Sequence, residues 1–234
     1  MKPKEGRIKE LLRERGLDGA IVSSPENFHY VTGFGGHKHT VSRQPGFTLA
    51  VMRSDDKAPT HITTMDFEAA TFRIKSAGLG FVVDPYDTWV GLKTWPEISQ
   101  GAVLPDKTRM ESSADKLEQF VKACDLADKR IGVEMDYLTV PYYNMICEKF
   151  PEAQLVDISD LFVYARSIKT EEEIKMFREL CRIADHGFTQ VSRMAGIGVS
   201  EKEMSDCFRE DVIKSGFCVP SAWSMFSQAH PAPA

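Results

Sequence analysis

The sequence predicts an α/β protein, with a mixed sheet flanked by helices over residues 1–165 and a second, helical unit over residues 166–234. Three observations predict it. Short apolar extended segments alternate with amphipathic helical ones through the first two thirds of the chain, the mark of a layered α/β domain. Near Arg166 this alternation gives way to two capped amphipathic helices in succession. The composition, 42% hydrophobic and 27% charged in 234 residues, is that of an ordinary globular protein.

In chain order, Ile8, Leu11 and Leu12 line one face of a short helix that Gly16 ends. Leu17–Val22 reads as a buried strand. Ser23-Ser24-Pro25-Glu26-Asn27 carries an N-cap and a Pro for the first helical turn, with Phe28, Tyr30 and Val31 after it and Gly33 closing. Gly35–Gly46 reads as a polar loop. Phe47–Met52 and Thr60–Thr64 read as strands joined by a turn at Arg53–Lys57. Phe67–Lys75 is expected to be helical and Gly80–Val83 extended, while the pattern from Asp84 to Pro105 selects no element type. Lys116–Ala127 follows as a helix, Arg130–Glu134 as a strand, Tyr142–Lys149 as a helix and Gln154–Asp157 as a strand.

Thr170-Glu171-Glu172-Glu173 is a strong helix start. Thr170 and Glu173 have capping-box spacing, and the acids sit at the positive end of the helix dipole. Ile174, Phe177, Cys181, Ala184, Phe188, Val191 and Ala195 then step by three and four, over roughly seven turns. Gly196-Ile197-Gly198 breaks this helix. Ser200 and Glu203 form a second capping box before Met204, Phe208 and Val212, and Gly216 closes. Two such helices need cover for their apolar faces. Either they fold back on the first domain, or they begin a second one.

Charge and composition exclude several classes. Against 34 acids stand 29 Lys and Arg, a net charge of −5, which gives no electrostatic reason to expect nucleic acid or an anionic membrane as partner. No apolar run approaches the ~20 residues of a membrane span, and no secretory h-region follows Met1. Five cysteines without C-x-x-C spacing are expected to be free, reduced and mostly buried in a cytoplasmic protein.

Few residues carry chemistry by pattern. His37-Lys38-His39 reads as a solvated loop, since no Cys or carboxylate lies at a spacing that completes a metal shell. Gly33-Phe34-Gly35-Gly36 lacks the Lys-Ser/Thr of a phosphate loop and reads as a turn. No G-x-S-x-G nucleophile elbow is present. His29 and His61 are expected to be packed and His186 solvent-facing. His230, in a segment with Trp223 and Phe226, is the candidate for proton transfer.

Several segments together resemble the creatinase/aminopeptidase P/prolidase family, the pita-bread hydrolases. They are Leu17–Val22 with Pro25–Phe34, Arg130–Glu134, Phe150–Ala153 with Leu155–Asp157, Arg166–Ile174, and Gly198–Met204. The resemblance implies a creatinase-type N-terminal α/β domain over residues 1–165 and the first helices of an incomplete pita-bread catalytic domain over residues 166–234. In the metal-dependent members two Asp, one His and two Glu hold two divalent ions, such as Mn, Zn or Co, which activate water for C–N cleavage. None of those five positions exists in this sequence, so it offers no metal ligands. Creatinase works without metal, through a histidine acting as general acid and base. His230 resembles that histidine, although the customary Gly and Asn are missing around Ser227 and Gln228. The resemblance further implies a homodimer acting on a small molecule or short peptide. Arg43 is the candidate to hold a substrate carboxylate as a bidentate pair. The expected function is the N-terminal portion of an Xaa-Pro peptidase-like hydrolase, inactive by itself. A creatinase-like amidinohydrolase and a non-catalytic dimerisation or binding module are the alternatives.

Overall fold

The computed structural model describes residues 3–88, 95–100 and 111–216. The chain divides into two compact units, Met1–Ser167 and Ile168–Ala234. In the first, strands β1 (Gly19–Val22), β2 (Leu49–Arg53), β3 (His61–Thr63), β4 (Val82–Val83), β5 (Arg130–Val133) and β6 (Gln154–Asp157) form one sheet in the order β4-β3-β2-β1-β5-β6. The β1–β2 and β2–β3 pairs are antiparallel, while β1–β5, β5–β6 and β3–β4 are parallel. The sheet is therefore mixed. The turn after Arg53 joins β2 to β3 as an antiparallel pair, as its polar residues indicate.

The helices are α1 (Glu5–Glu14), α2 (Pro25–Thr32), α3 (His37–Ser42), α4 (Asp66–Ser76), α5 (Trp95–Ser99), α6 (Ser113–Ala123), α7 (Val140–Lys149) and α8 (Ser159–Ser167). Strand alternation sends successive side chains to opposite faces. Ala20, Val22, Ala50 and Met52 meet Ile8, Leu12, Phe28, Phe72 and Phe162 from α1, α2, α4 and α8. Ile21, Leu49, Val51, Ile131 and Val133 meet Leu117, Phe120 and Ile146 from α6 and α7. Most of these side chains are fully buried, and each of those larger than alanine contributes about 1.5–3 kcal/mol of hydrophobic stabilisation.

The second unit contains α9 (Glu171–Met194) and α10 (Glu201–Lys214), each opened by a complete capping box. Thr170 Oγ1 accepts from Glu173 N at 3.3 Å while Glu173 Oε2 accepts from Thr170 N at 2.7 Å. Gly187 lets the two helices meet, because a Cβ there would lie 2.8 Å from the Phe208 ring. Phe188 and Phe208 stack at 5.0 Å between centroids.

Several expectations need correction. Gly35–Gly46 is not a loop throughout, because α3 occupies its middle. The apolar stripe of α9 is largely exposed among the described residues: Phe177 and Phe188 are open to solvent, and only Ile183 and Gly187 are buried. Cysteines are less buried than expected, with Cys124 buried, Cys147 and Cys207 intermediate and Cys181 exposed. Cys218 lies outside the described residues, as do Trp89 and half of the stretch from Asp84 to Pro105. Trp95 begins α5, and Tyr86 bridges to Met65 beside β4. Among the described residues, no helix is long and apolar enough to cross a membrane.

Candidate functional site

The parallel pairing of β1 with β5 places two chain ends side by side. Ser23 and Ser24 leave β1, and Glu134 leaves β5. In open α/β sheets the carboxyl ends of the strands are where function gathers. Glu134 is fully buried. Its Oε2 accepts from Ser23 N at 2.5 Å and Ser24 N at 2.9 Å, and its Oε1 from Ser24 Oγ at 2.5 Å and Asn27 Nδ2 at 2.6 Å. Ser24 is also the N-cap of α2, so the carboxylate sits at the positive end of that helix. Burial pushes the Glu134 carboxyl above the usual range, and the donors from Ser23, Ser24 and Asn27 oppose that push.

A second carboxylate performs the same task nearby. Glu68, on α4, accepts from Lys38 N at 2.9 Å and so supplies the acceptor that the start of α3 lacks locally. Its other oxygen meets the buried Thr48–Thr64 hydroxyl pair, with Thr64 Oγ1 at 3.4 Å. The approach requires glycine at 36, where a Cβ would lie 2.4 Å from Glu68 Oε2.

His39 joins the two halves. Its Nε2 lies 2.8 Å from Ser23 O, and its ring meets the Phe28 ring edge-on at 5.4 Å between centroids. It is buried, which corrects the solvated reading of His37-Lys38-His39, although His37 is exposed. Burial lowers the pKa of His39. His29, expected to be packed, is exposed instead, whereas His61 is half-buried against Phe120. His186 is half-exposed, with Asp211 Oδ2 at 2.8 Å from its Nδ1.

Arg43 stands at the rim as the C-cap of α3 with φ 49°. Its guanidinium makes the bidentate contact expected of it, but to Glu26 of the same chain, at 2.5 and 3.2 Å. The pair lowers the Glu26 pKa and raises that of Arg43. The Tyr137 hydroxyl is buried without a hydrogen-bond partner among the described residues, and burial pushes it up to about 12. His230 lies outside the described residues, so Arg43 and His230 are not brought together within them.

This arrangement can hold and orient; it cannot abstract protons from a substrate through Glu134. A general base must reach the proton that it takes, and Glu134 is sealed behind its own donors. Among the described residues, no group of three or more His, Cys, Asp or Glu could hold a metal ion, so they do not fit a divalent centre. Sequence reasoning missed Glu134 and Glu68 as network centres. An acid directly after the apolar run Ile131-Gly132-Val133 was the available signal for Glu134.

Comparison with known proteins bears on the same residues. Residues 6–168 match the model of the creatinase/prolidase N-terminal domain. The uncharacterized peptidase YqhT of Bacillus subtilis is 28% identical over 196 residues, covering 83% of this chain and 44% of that protein. The Xaa-Pro dipeptidase of Lactobacillus delbrueckii subsp. lactis is 24% identical over 197 residues, covering 84% and 45%. Among solved structures, the Xaa-Pro dipeptidase from Bacillus anthracis superposes with a TM-score of 0.63 at 21% identity, covering 89% of this chain and 48% of that one. The chain thus spans less than half the length of these relatives.

Proposed function

This chain belongs to the creatinase/prolidase N-terminal domain family, and from that premise we propose that it forms the leading portion of an Xaa-Pro peptidase-like hydrolase of C–N bonds. The observation that carries this reading is the family match across residues 6–168, together with longer matches to relatives that include an Xaa-Pro dipeptidase, 197 residues of this chain. On this reading residues 1–165 are the positioning domain and residues 166–234 open the catalytic one. The protein works as a cytoplasmic homodimer on short peptides, with divalent metal of the M24 metallopeptidase type supplied by residues other than those described here.

Within that scheme the buried network has a mechanical role. Glu134 and Glu68 hold the starts of α2 and α3 and thereby fix the rim where Arg43 stands. A peptide carboxylate takes the Arg43 fork in place of Glu26, an exchange of one bidentate carboxylate for another. His230 is proposed as a proton-transfer residue on the strength of its sequence context alone. The test is a substrate panel on the protein as its gene encodes it: Xaa-Pro dipeptides and creatine, each with and without Mn²⁺. Metal-dependent dipeptide cleavage supports the reading. Creatine cleavage without metal would replace it with the amidinohydrolase, and no turnover of either would favour a binding or dimerisation module.

A further inference from the structure

Of the six residues of α3, His39 alone is buried, at 1% exposure. A helix of this length has no stability of its own. What holds it is the His39 ring, the Lys38 N–H on Glu68, and the Arg43–Glu26 pair. That pair is half-exposed and contributes little. The one buried side chain that α3 itself contributes is thus of the type that titrates near neutrality.

We propose that His39 is a proton-operated latch, whose neutral ring seats α3 on the ends of β1 and whose protonation releases α3 together with Arg43. The hydrogen-bond inventory carries the argument. Ser23 O can only accept, so Nε2 of His39 must be the donor and carries the ring proton. Nδ1 is buried and finds no partner among the described residues. In the neutral ring this is an unfilled lone pair. In the cation it becomes a buried N–H with no acceptor, beside the Phe28 ring, and such a group is expensive to keep.

The charged groups around the ring do not remove that cost. Glu68 from α4 and Glu26 from α2 favour the cation, and Arg43 on α3 disfavours it. Glu68 is already engaged by Lys38 N, and Glu26 by Arg43. Glu134 lies beyond Ser23, engaged by its own four donors. Burial outweighs the favourable charges, so the seated ring binds protons less readily than the released one. Release therefore gains as pH falls through the free-histidine value near 6.5, by up to about tenfold per pH unit until the seated ring itself titrates. This inference concerns the first unit alone and does not depend on the substrate.

The experiment is hydrogen exchange on the full chain from about pH 5 to pH 8, corrected for intrinsic rates, with His39→Gln and His29→Gln beside the wild type. Glutamine at 39 keeps an N–H for Ser23 O but does not titrate. The wild type is expected to lose protection at the amides of Thr40 and Arg43, up to about tenfold per pH unit below about 6.5, while β1 and β2 keep theirs. His39→Gln should abolish that pH dependence, and His29→Gln should preserve it. Wild-type protection that is flat with pH, an unchanged slope in His39→Gln, or loss across the whole unit at once would each overturn the latch. Should His39→Gln fail to fold, the wild-type His39 ring can be titrated by NMR. A titration coincident with α3 release supports the latch, and one with α3 still seated overturns it.

Discussion

Replacing Glu134 tests the physical reading of the site most severely. In Glu134→Ala, the backbone N–H groups of Ser23 and Ser24, the Ser24 hydroxyl and the side-chain amide of Asn27 all lose their acceptor on Glu134. Each buried donor left unpaired costs about 1–3 kcal/mol. Four such groups at the lower end of that range cost about 4–5 kcal/mol, the size expected for breaking a buried charged network. A domain of this size has only about 5–15 kcal/mol in total, so Glu134→Ala should lose about a third or more of its stability. Glu134→Gln should be far milder. Its new NH₂ would face the Asn27 amide, but Asn27 Oδ1 has no partner among the described residues and a flip of that amide presents an acceptor. The expected cost is about 1–2 kcal/mol. Urea denaturation followed by circular dichroism measures both. Glu134→Ala within about 1 kcal/mol of wild type, or Glu134→Gln as damaging as Glu134→Ala, would refute the assignment of Glu134 as the acceptor for the end of β1 and the start of α2.

Two further outcomes are expected from named contacts. Gly36→Ala places a methyl 2.4 Å from Glu68 Oε2 and 3.0 Å from the Phe72 ring, and should cost about 1–3 kcal/mol, read as a lowered Tm. Thr170→Ala removes one half of the α9 capping box and should cost about 1 kcal/mol, seen as faster exchange in the first turn of α9 with the sheet amides unchanged.

The elements legible in the sequence are those whose signal is local. Ser24-Pro25, Thr170 with Glu173, and Ser200 with Glu203 place an N-cap and its partner within three residues, and each opens a helix where expected. The strands show as short apolar runs, although their parallel and antiparallel pairing does not. Helix α3 was illegible for a physical reason. With one buried residue in six it has no periodicity, and the carboxylate that caps it, Glu68, lies 30 positions away in the chain. The same holds for Glu134, whose partners are more than 100 positions distant and become neighbours only when β1 pairs with β5. His39 was read as solvated because it stands among polar residues along the chain, and His29 as packed because it stands in a patterned segment between Phe28 and Tyr30. The turn of α3 buries the former, and the face of α2 exposes the latter. Arg43 was read as a fork for a substrate carboxylate, whereas the carboxylate it meets in the structure is Glu26, 17 positions away, which no local signal indicated.

The proposal that this chain leads an Xaa-Pro peptidase-like hydrolase is tested most directly by proline release. The protein as its gene encodes it should be stripped with chelator, resupplied with Mn²⁺ and given an Xaa-Pro dipeptide. The account expects free proline to appear with metal and to stop without it. Intact dipeptide under both conditions, from a folded preparation, would contradict it.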